Sequence, residues 1–462
     1  MANSYLSNTI SSGSTGKIFT LSAWVKFTSL STNSELWSVS NDGTVHNYID
    51  ICFKSGVLDM QFKLANGQTF MRRKTTKLFR DPNAFYHIVL RFDSTNSTAA
   101  DRFRLYVNGV QETSFSATNY PGQNDNYIYS ESITAQYIGQ RADQGNTSSF
   151  EGLMTHIHWT DGYSYDASSF GETDSTSGIW KPKTSPSVTY GTNGYFLKME
   201  NSGAMGTDSS GNSNTFTVSG TITQNVDSPS NSFCLFNRLD RWLGTTNNYG
   251  DYLSKGNNTV AMASANKGLV RGTLGVEAGK WYWEAQANSV SKGFYGMTND
   301  LAFNTSSAPH DSTLKAGIYY YEGVPDFRYY SGAGEITTDA VSISADDILM
   351  FALDMDNKAF YIGKNGTWMA SGDPTSGSSK TGAISEKFSN PTVWADSGPV
   401  FPAVYVSSTS GTIDTDYNFG NGNFGTTAVA SANADGNGIG KFEYSVPSGY
   451  YAICTKNIKE FG

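Results

Sequence analysis

At 462 residues the chain is too long for one ordinary hydrophobic core, and two or three domains are expected. Charged residues make up only 16 %, while Gly (47), Tyr (27) and Phe (27) are heavily used, a balance that suits strands carrying aromatics and turns carrying Gly and Asn. The net charge of −9 without a basic patch excludes a nucleic-acid partner, and no apolar run approaches the roughly 20 residues of a membrane-spanning helix.

The opening stretch, MANSYLSNTISSGSTGKIFT, has neither a positive n-region nor an apolar h-region, so no secretory signal is visible and folding in a cytoplasm is expected. The first strand alternates cleanly: Phe19, Leu21, Ala23, Val25 and Phe27 share one face, Thr20, Ser22, Trp24 and Lys26 the other. FYHIVLRFD (85–93) repeats the pattern with Tyr86, Ile88, Leu90 and Phe92, which leaves His87 opposite the apolar face and predicts that it is exposed. FRLYVNGVQ (103–111) turns at Asn108-Gly109, and AQYIGQR and FEGLMTHIHW follow. The segment 163–186 breaks the strand rhythm; DASSFGE within it predicts a helical turn with Asp166 as N-cap and Gly171 as stop. GYFLKME, a long polar loop over 201–214 and TFTVSGT complete the first half. Pro and Ser cluster without an apolar pattern in 225–232, the best linker candidate.

The second half is organised around GKWYWE (279–284). Trp281, Trp283, Ala285 and Ala287 share one face of this strand, and Tyr282, Glu284 and Gln286 the other. In 346–368, Asp356-Asn357 and Asn365-Gly366 are tight-turn signals, because Asn and Asp tolerate the positive φ a hairpin needs. VFPAVYV and YNFGNGNF answer that strand; residues 425–440 are low-complexity Gly, Ala and Asn, and YYAICTKN is expected to return as a last strand. Cys52, Cys234 and Cys454 are an odd, sparse set and read as free thiols, with the strands around Cys234 and Cys454 placed side by side.

These motifs carry two resemblances. FTLSAWVKF, YHIVLRFD, LYVNGV, YIGQ and the F-x-G-x-M segment resemble a laminin-G-like, concanavalin A-like jelly roll over roughly 17–225. GKWYWE, ALDMDN, YIGKNGTW, GDP, FPAV and NFG, in that order, resemble a SPRY domain. The implied fold class is all-β: two tandem antiparallel β-sandwiches, a concanavalin A-like jelly roll over 1–224, a linker at 225–232 and a SPRY-like sandwich over 233–462.

Glycan hydrolysis needs two carboxylates across a cleft. No E-x-D-x-x-E strand exists, and Asp50, Asp59, Glu151 and Glu200 read as isolated groups. His156 and His158, two apart on a strand, share a face with Met154 and read as surface or interface residues, or with Asp161 as a metal set. No Ser-His-Asp or Cys-His constellation is indicated. The laminin-G resemblance implies one calcium ion at the sandwich rim, where Asp42, Asp125, Asn126 and Asp143 sit in candidate loops. No cofactor is otherwise required. The strongest signal is aromatic: Tyr319, Tyr320 and Tyr321, then Phe327, Tyr329 and Tyr330, flank a Gly-Val-Pro-Asp turn, and Trp242, Trp368 and Trp394 lie near loops. Tyr and Trp with polar neighbours suit sugar stacking or protein interfaces, although a glycine-rich sandwich also needs bulky filler.

The pairing of modules, with MGTDSSGNSNTFT, NSFCLFN and PSGYYAICTKN, resembles virion structural proteins of tailed phages, particularly marine ones. The resemblance implies a non-enzymatic protein made in the host cytoplasm and assembled on the particle. An outer capsid decoration or compact appendage is favoured over a tail fibre or receptor-binding protein, since no anchoring domain, coiled coil or β-helix is visible. Expected partners are other virion proteins, capsid or tail, copies of itself in a homo-oligomer, and host-surface glycans. A glycan hydrolase is the alternative of another class, and a bacterial adhesion module would carry an export signal or sorting tail.

Overall fold

The computed structural model describes residues 4–10, 16–27, 33–40, 48–63, 69–81, 83–126, 134–141, 148–175, 178–243, 252–262, 268–290, 293–299, 317–322, 328–331, 334–337, 341–387, 394, 398–406 and 413–462. Two compact units result, Met1–Gln224 with Ser228–Ser230 and Asn225–Asp227 with Asn231–Gly462. Both are built from antiparallel sheets, so the all-β architecture expected from alternation and turn spacing is the one observed. Among the described residues, no helix is long and apolar enough to cross a membrane.

In the first unit an eight-stranded sheet runs Phe115–Thr118, Thr69–Thr75, Val57–Lys63, Tyr48–Lys54, Asn33–Ser40, Thr134–Ile138, Tyr5–Ile10, Thr217–Ser219. A six-stranded sheet runs Tyr195–Leu197, Gly152–Asp161, Ile18–Phe27, Tyr86–Asp93, Phe103–Val107, Val110–Glu112. Phe19, Leu21, Ala23 and Val25 pack with Ile88, Leu90 and Phe92 against Trp37, Ile49, Ile51 and Met60 of the facing sheet. Each such fully buried large side chain contributes roughly 1.5–3 kcal/mol. Asn108-Gly109 is a tight turn, both residues at positive φ, as the sequence requires.

The opposite face of the six-stranded sheet departs from expectation. Thr20, Ser22, Trp24, Lys26 and His87 are all buried. The reason is the segment that broke the strand rhythm: Tyr165, Ala167, Phe170, Trp180 and Val188 lie across this outer face against Val89 and Tyr106. The predicted helical turn is a single 3-10 turn, Ala167–Ser169. Asp166 precedes it but does not cap it with its side chain; its Oδ1 instead accepts from Tyr106 Oη (2.6 Å) and Arg91 (3.3 Å). Gly171 does more than stop the turn, since a Cβ there would lie 2.4 Å from the Trp180 ring.

The second unit packs a seven-stranded sheet (Phe236–Leu243, Gly268–Gly272, Phe401–Val406, Gly293–Thr298, Gly317–Glu322, Arg328–Ser331, Gly334–Thr337) on a second sheet centred on Lys280–Val290. Lys280–Val290 lies between Ile348–Asp354 and Ile413–Asn418. Trp281, Trp283, Ala285 and Ala287 face the core with Phe351, Phe360 and Tyr417, as alternation predicts. The other face is again closed, because Tyr282, Met350, Ala352 and Tyr361 pack beneath Phe442, Tyr450 and Ala452. Of YYAICTKN only Tyr451–Ala452 is strand, parallel to Trp281 and Tyr282. The rest opens a helix, Thr455–Phe461, whose Phe461 stacks on Tyr451 at 3.8 Å. Cys234 and Cys454 do lie side by side: Phe233 bridges Cys454, and Cys234 N donates to Ile453 O. All three cysteines are buried and free.

The stretch 225–232 is packed rather than open. Val226 packs on the cluster under Phe442, Asp227 is buried, and Asn231 Oδ1 accepts from Lys456 N at the start of the last helix. The low-complexity run 425–440 is likewise ordered around buried Asp435. Its carboxylate accepts from Ile439 N, Gly440 N, Ala452 N and Asn457 Nδ2.

Candidate functional site

The outer face of the eight-stranded sheet in the first unit concentrates charge. On Tyr48–Lys54, Ile49, Ile51 and Phe53 point into the core, so Asp50, Cys52 and Lys54 point out. Cross-strand register then sets Glu35 opposite Cys52 and Cys52 opposite Asp59. Asp50 stands opposite Gln61, which stands opposite Arg72. A bulge between Glu35 and Trp37 sends both Leu36 and Trp37 into the core and leaves Glu35 on the outer face.

Glu35, Asp50, Cys52 and Asp59 are all fully buried. Asp59 is well served: Arg72 grips both its oxygens at 2.9 and 2.7 Å and Gln61 donates at 2.8 Å. These donors hold its carboxyl below the usual range against the opposing effect of burial. Lys54 Nζ lies 2.7 Å from Asp50 Oδ2 and 3.8 Å from Asp59. Both Glu35 oxygens and Asp50 Oδ1 meet no basic or backbone donor. Ligand atoms of Glu35, Asp50 and Cys52 lie within 4.8 Å of one another, the one such group among the described residues. Burial first, then the neighbouring Asp50, pushes the Glu35 carboxyl well up; burial and the two carboxylates push the Cys52 thiol up. Asp50 and Asp59, read singly in sequence as isolated, are therefore members of one cluster with Glu35. Only pairing across three strands brings them together, and the one signal in sequence is alternation: D-x-C-x-K on one strand beside polar positions on its neighbours.

Ser22 and His87 also meet, with Ser22 Oγ 2.9 Å from His87 Nε2. Trp180 Nε1 donates to His87 Nδ1 at 3.0 Å, so Nδ1 is the acceptor and Nε2 carries the proton. His87 donates to the serine and cannot take its proton. Burial drives its imidazole down to about 3, and the Trp24 ring stacks on it at 4.5 Å. This is a neutral core histidine, not the exposed residue alternation predicted. His156 and His158 likewise do not form a surface pair. A bulge between Thr155 and His158 places His156 at φ 48°, so the two-residue spacing no longer keeps one face. His158 is buried against Phe196 at 3.9 Å and bonded to Tyr190 Oη, while Asp161 holds Asn193.

Of the predicted calcium positions, Asp42 and Asp143 lie outside the described residues. Asp125 folds back on its own loop, its carboxylate against Gly122 and its carbonyl accepting from Ser94; Asn126 is exposed beside it. Of the aromatic positions, Trp368 is half-buried, edge-on to Tyr282 at 6.4 Å. Trp394 is half-buried against the main core. The tyrosines lie on Gly317–Glu322 and Arg328–Ser331, the two strands next inside the edge strand Gly334–Thr337 of the seven-stranded sheet, where the register pairs Tyr319 with Tyr330 and Tyr320 with Tyr329, and Tyr321 with Arg328. The side chains of these five tyrosines, and that of Trp242, lie outside the described residues.

Residues 2–163 match the concanavalin A-like lectin/glucanases superfamily, which is less than half of the chain. Comparison with curated proteins finds no match. Among solved structures the chain is similar to the SPRY domain of human HERC1 (17 % identity, 39 % of this chain, 96 % of that one, TM-score 0.28). It is also similar to domains LG4-5 of the mouse laminin alpha1 chain (11 %, 90 % and 84 %, TM-score 0.29). A pentraxin of Limulus polyphemus matches at 13 %, 35 % and 70 %, TM-score 0.27. At these scores the architecture rests on strand order and on the superfamily match, not on the individual structures.

Proposed function

We propose that this chain is a non-enzymatic structural protein of a tailed-phage particle: an outer capsid decoration or compact appendage that docks on other virion proteins and on host-surface glycans. The observation that carries the binding half of this reading is the tyrosine ladder. Five tyrosines lie on Gly317–Glu322 and Arg328–Ser331, four of them paired across the two strands and Tyr321 opposite Arg328, next to the edge strand Gly334–Thr337 of the seven-stranded sheet. Aromatic rows of this kind offer large, rigid, amphipathic contact area to a sugar or a protein. In support, the outer faces of the six-stranded sheet and of the sheet centred on Lys280–Val290 are taken up by the chain's own segments. Binding there would have to displace them, which favours the tyrosine strands and the loops. The particle setting rests on the tandem resemblance of the modules. It carries with it synthesis in the host cytoplasm, a homo-oligomer on the particle and no required cofactor, with calcium at the first sandwich's rim as an accessory.

A glycan hydrolase is the second reading, favoured by one observation: Glu35 and Asp50 are neighbours on a sheet of concanavalin A-like type. Against it, both carboxyls are fully buried, whereas a retaining pair must reach a sugar from about 5 Å apart.

Imaging particles with and without the gene tests the proposal. Density spread over the shell supports a decoration protein, and density confined to the tail supports the fibre alternative. Absence from particles overturns the virion reading. A glycan array on Tyr320→Ala and Tyr329→Ala proteins tests the ladder, with a loss of at least about tenfold in binding expected. Release of sugar fragments from a polysaccharide panel would establish the hydrolase instead.

A further inference from the structure

We infer that Glu35, Asp50 and Cys52 form a buried site for one thiophilic divalent cation of the zinc class, which fastens strand Asn33–Ser40 to strand Tyr48–Lys54.

Three observations converge. The first is the donor set: two carboxylates and a thiol from adjacent strands, ligand atoms within 4.8 Å of one another. Metal–oxygen and metal–sulfur bonds of about 2.0–2.3 Å set tetrahedral ligand atoms about 3.3–3.8 Å apart, a spacing that these side chains reach with small rotations. The second is the state of the oxygens. Glu35 is wholly buried with both oxygens lacking a basic or backbone donor, and Asp50 Oδ1 is in the same position. Buried carboxylates almost always find donors, and the hydrogen-bonding groups against Glu35 are Asp50 and the Cys52 sulfur, with Lys54 acting on it only through its charge. The third is the division of labour around them. Lys54 takes Asp50 Oδ2, and Arg72 and Gln61 take both oxygens of Asp59. The basic residues thus complete one side of the cluster and stop short of the other.

The chemistry of the set selects the ion. Calcium and magnesium want six or more hard oxygens and do not favour sulfur. A thiolate with two carboxylates matches zinc or its analogues, with a water or the second Glu35 oxygen as fourth ligand. The site lies on the sheet itself and shares no residue with the rim loops of Asp125 and Asn126. Its role is structural, since no ligand is exposed.

The alternative is that Glu35 and Asp50 share a proton and hold no metal. The full chain, purified without metal, is mixed with one equivalent of cobalt(II) or zinc and then desalted. The account predicts one retained ion per chain and, for cobalt, a thiolate-to-metal charge-transfer band. Cys52→Ser removes the band and, like Glu35→Gln, weakens retention at least about 100-fold. Cys234→Ser and Cys454→Ser leave both unchanged. The wild-type spectrum decides the matter even where a substituted chain misfolds. No retained ion, or a cobalt spectrum without sulfur ligation, overturns the site in favour of the shared proton.

Discussion

The two units close an outer sheet face with opposite chemistry. In the first, the segment 163–190 covers the six-stranded sheet with aromatic rings and meets neutral imidazoles: Trp180 on His87, Phe170 and Tyr190 on His158. In the second, the C-terminal stretch packs Phe442, Tyr450 and Ala452 on its sheet and anchors itself on a buried carboxylate of that sheet. Glu284, the last residue of GKWYWE, accepts from Glu443 N (2.9 Å), Tyr444 N (2.8 Å), Tyr282 Oη (2.9 Å) and Asn418 Nδ2 (3.5 Å). One cover packs onto imidazoles that must stay uncharged; the other packs and also anchors on a buried acceptor that collects donors. A polar residue on the outer face of a strand is thus no guide to exposure when the chain supplies its own lid.

The largest effect should come from removing that acceptor. Glu284→Ala strands two backbone N–H groups and a tyrosine hydroxyl in a buried setting, and is expected to destabilise the second unit by about 3–5 kcal/mol. Denaturant titration should show this loss with the first unit's transition unmoved. Trp180→Ala is the matching cut in the first unit. It removes a half-buried ring and the donor to His87, for an expected loss of about 2–3 kcal/mol. Equal responses of both units to either substitution would mean that the covers are not independent devices.

Acid–base behaviour sharpens the contrast. Burial lowers His87 to about 3, His156 to about 4 and His158 well below the ordinary 6.5. Depressed folded values mean that the folded state resists protonation. The stability these groups supply is full above pH 6.5 and lost as the pH falls below it. Glu35, raised by burial, opposes this above its ordinary 4.5 only in the metal-free chain; as a cation ligand it stays ionised. Glu284 is raised by burial to about 7 despite its donors, so its contribution is full below 4.5 and lost as the pH rises towards 7. Between pH 4.5 and 6.5 the melting transition of the first unit should therefore rise with pH while that of the second falls. Calorimetry across that window measures both slopes, and two slopes of one sign would undo the contrast.

The smallest effects lie where the two units agree. Each has a tight-turn glycine at positive φ beneath an aromatic of its cover: Gly109 (φ 82°) under Trp180 and Gly366 (φ 84°) under Tyr444, the added Cβ lying 3.0 and 3.1 Å from the ring. Alanine at either position should cost about 1–2 kcal/mol, from the strained φ and the crowded ring together. Thermal melts of the two single variants check the parallel.

Sequence reached the parts of this molecule that local rules govern. Alternation located the core faces of Ile18–Phe27 and Lys280–Val290, and Asn108-Gly109 and Asn365-Gly366 announced their turns. It failed where the chain folds over itself. His87 and Trp24 read as outward residues because period-2 logic marks a face, not what lies on top of it. The cover carries no periodicity of its own: its contacts run from Trp180 to His87 and from Glu443 to Glu284, across long stretches of chain. Within the candidate cluster, Asp50 and Asp59 were visible one by one. Glu35 joined them only through a bulge and a register that no single strand encodes. The ladder Tyr319–Tyr330 and Tyr320–Tyr329 was legible as composition, and its pairing became clear from the backbone.

That the first unit closes an outer face with its own chain is tested most directly by nuclear magnetic resonance titration of its imidazoles, resolved by ring-nitrogen shifts. The account predicts that His87 and His158 stay neutral well below the ordinary 6.5, with His87 holding its proton on Nε2 throughout. Titration of His87 near 6.5, or a proton on Nδ1, would show that Trp180 does not cover it and that the outer face of the first sandwich is open to solvent.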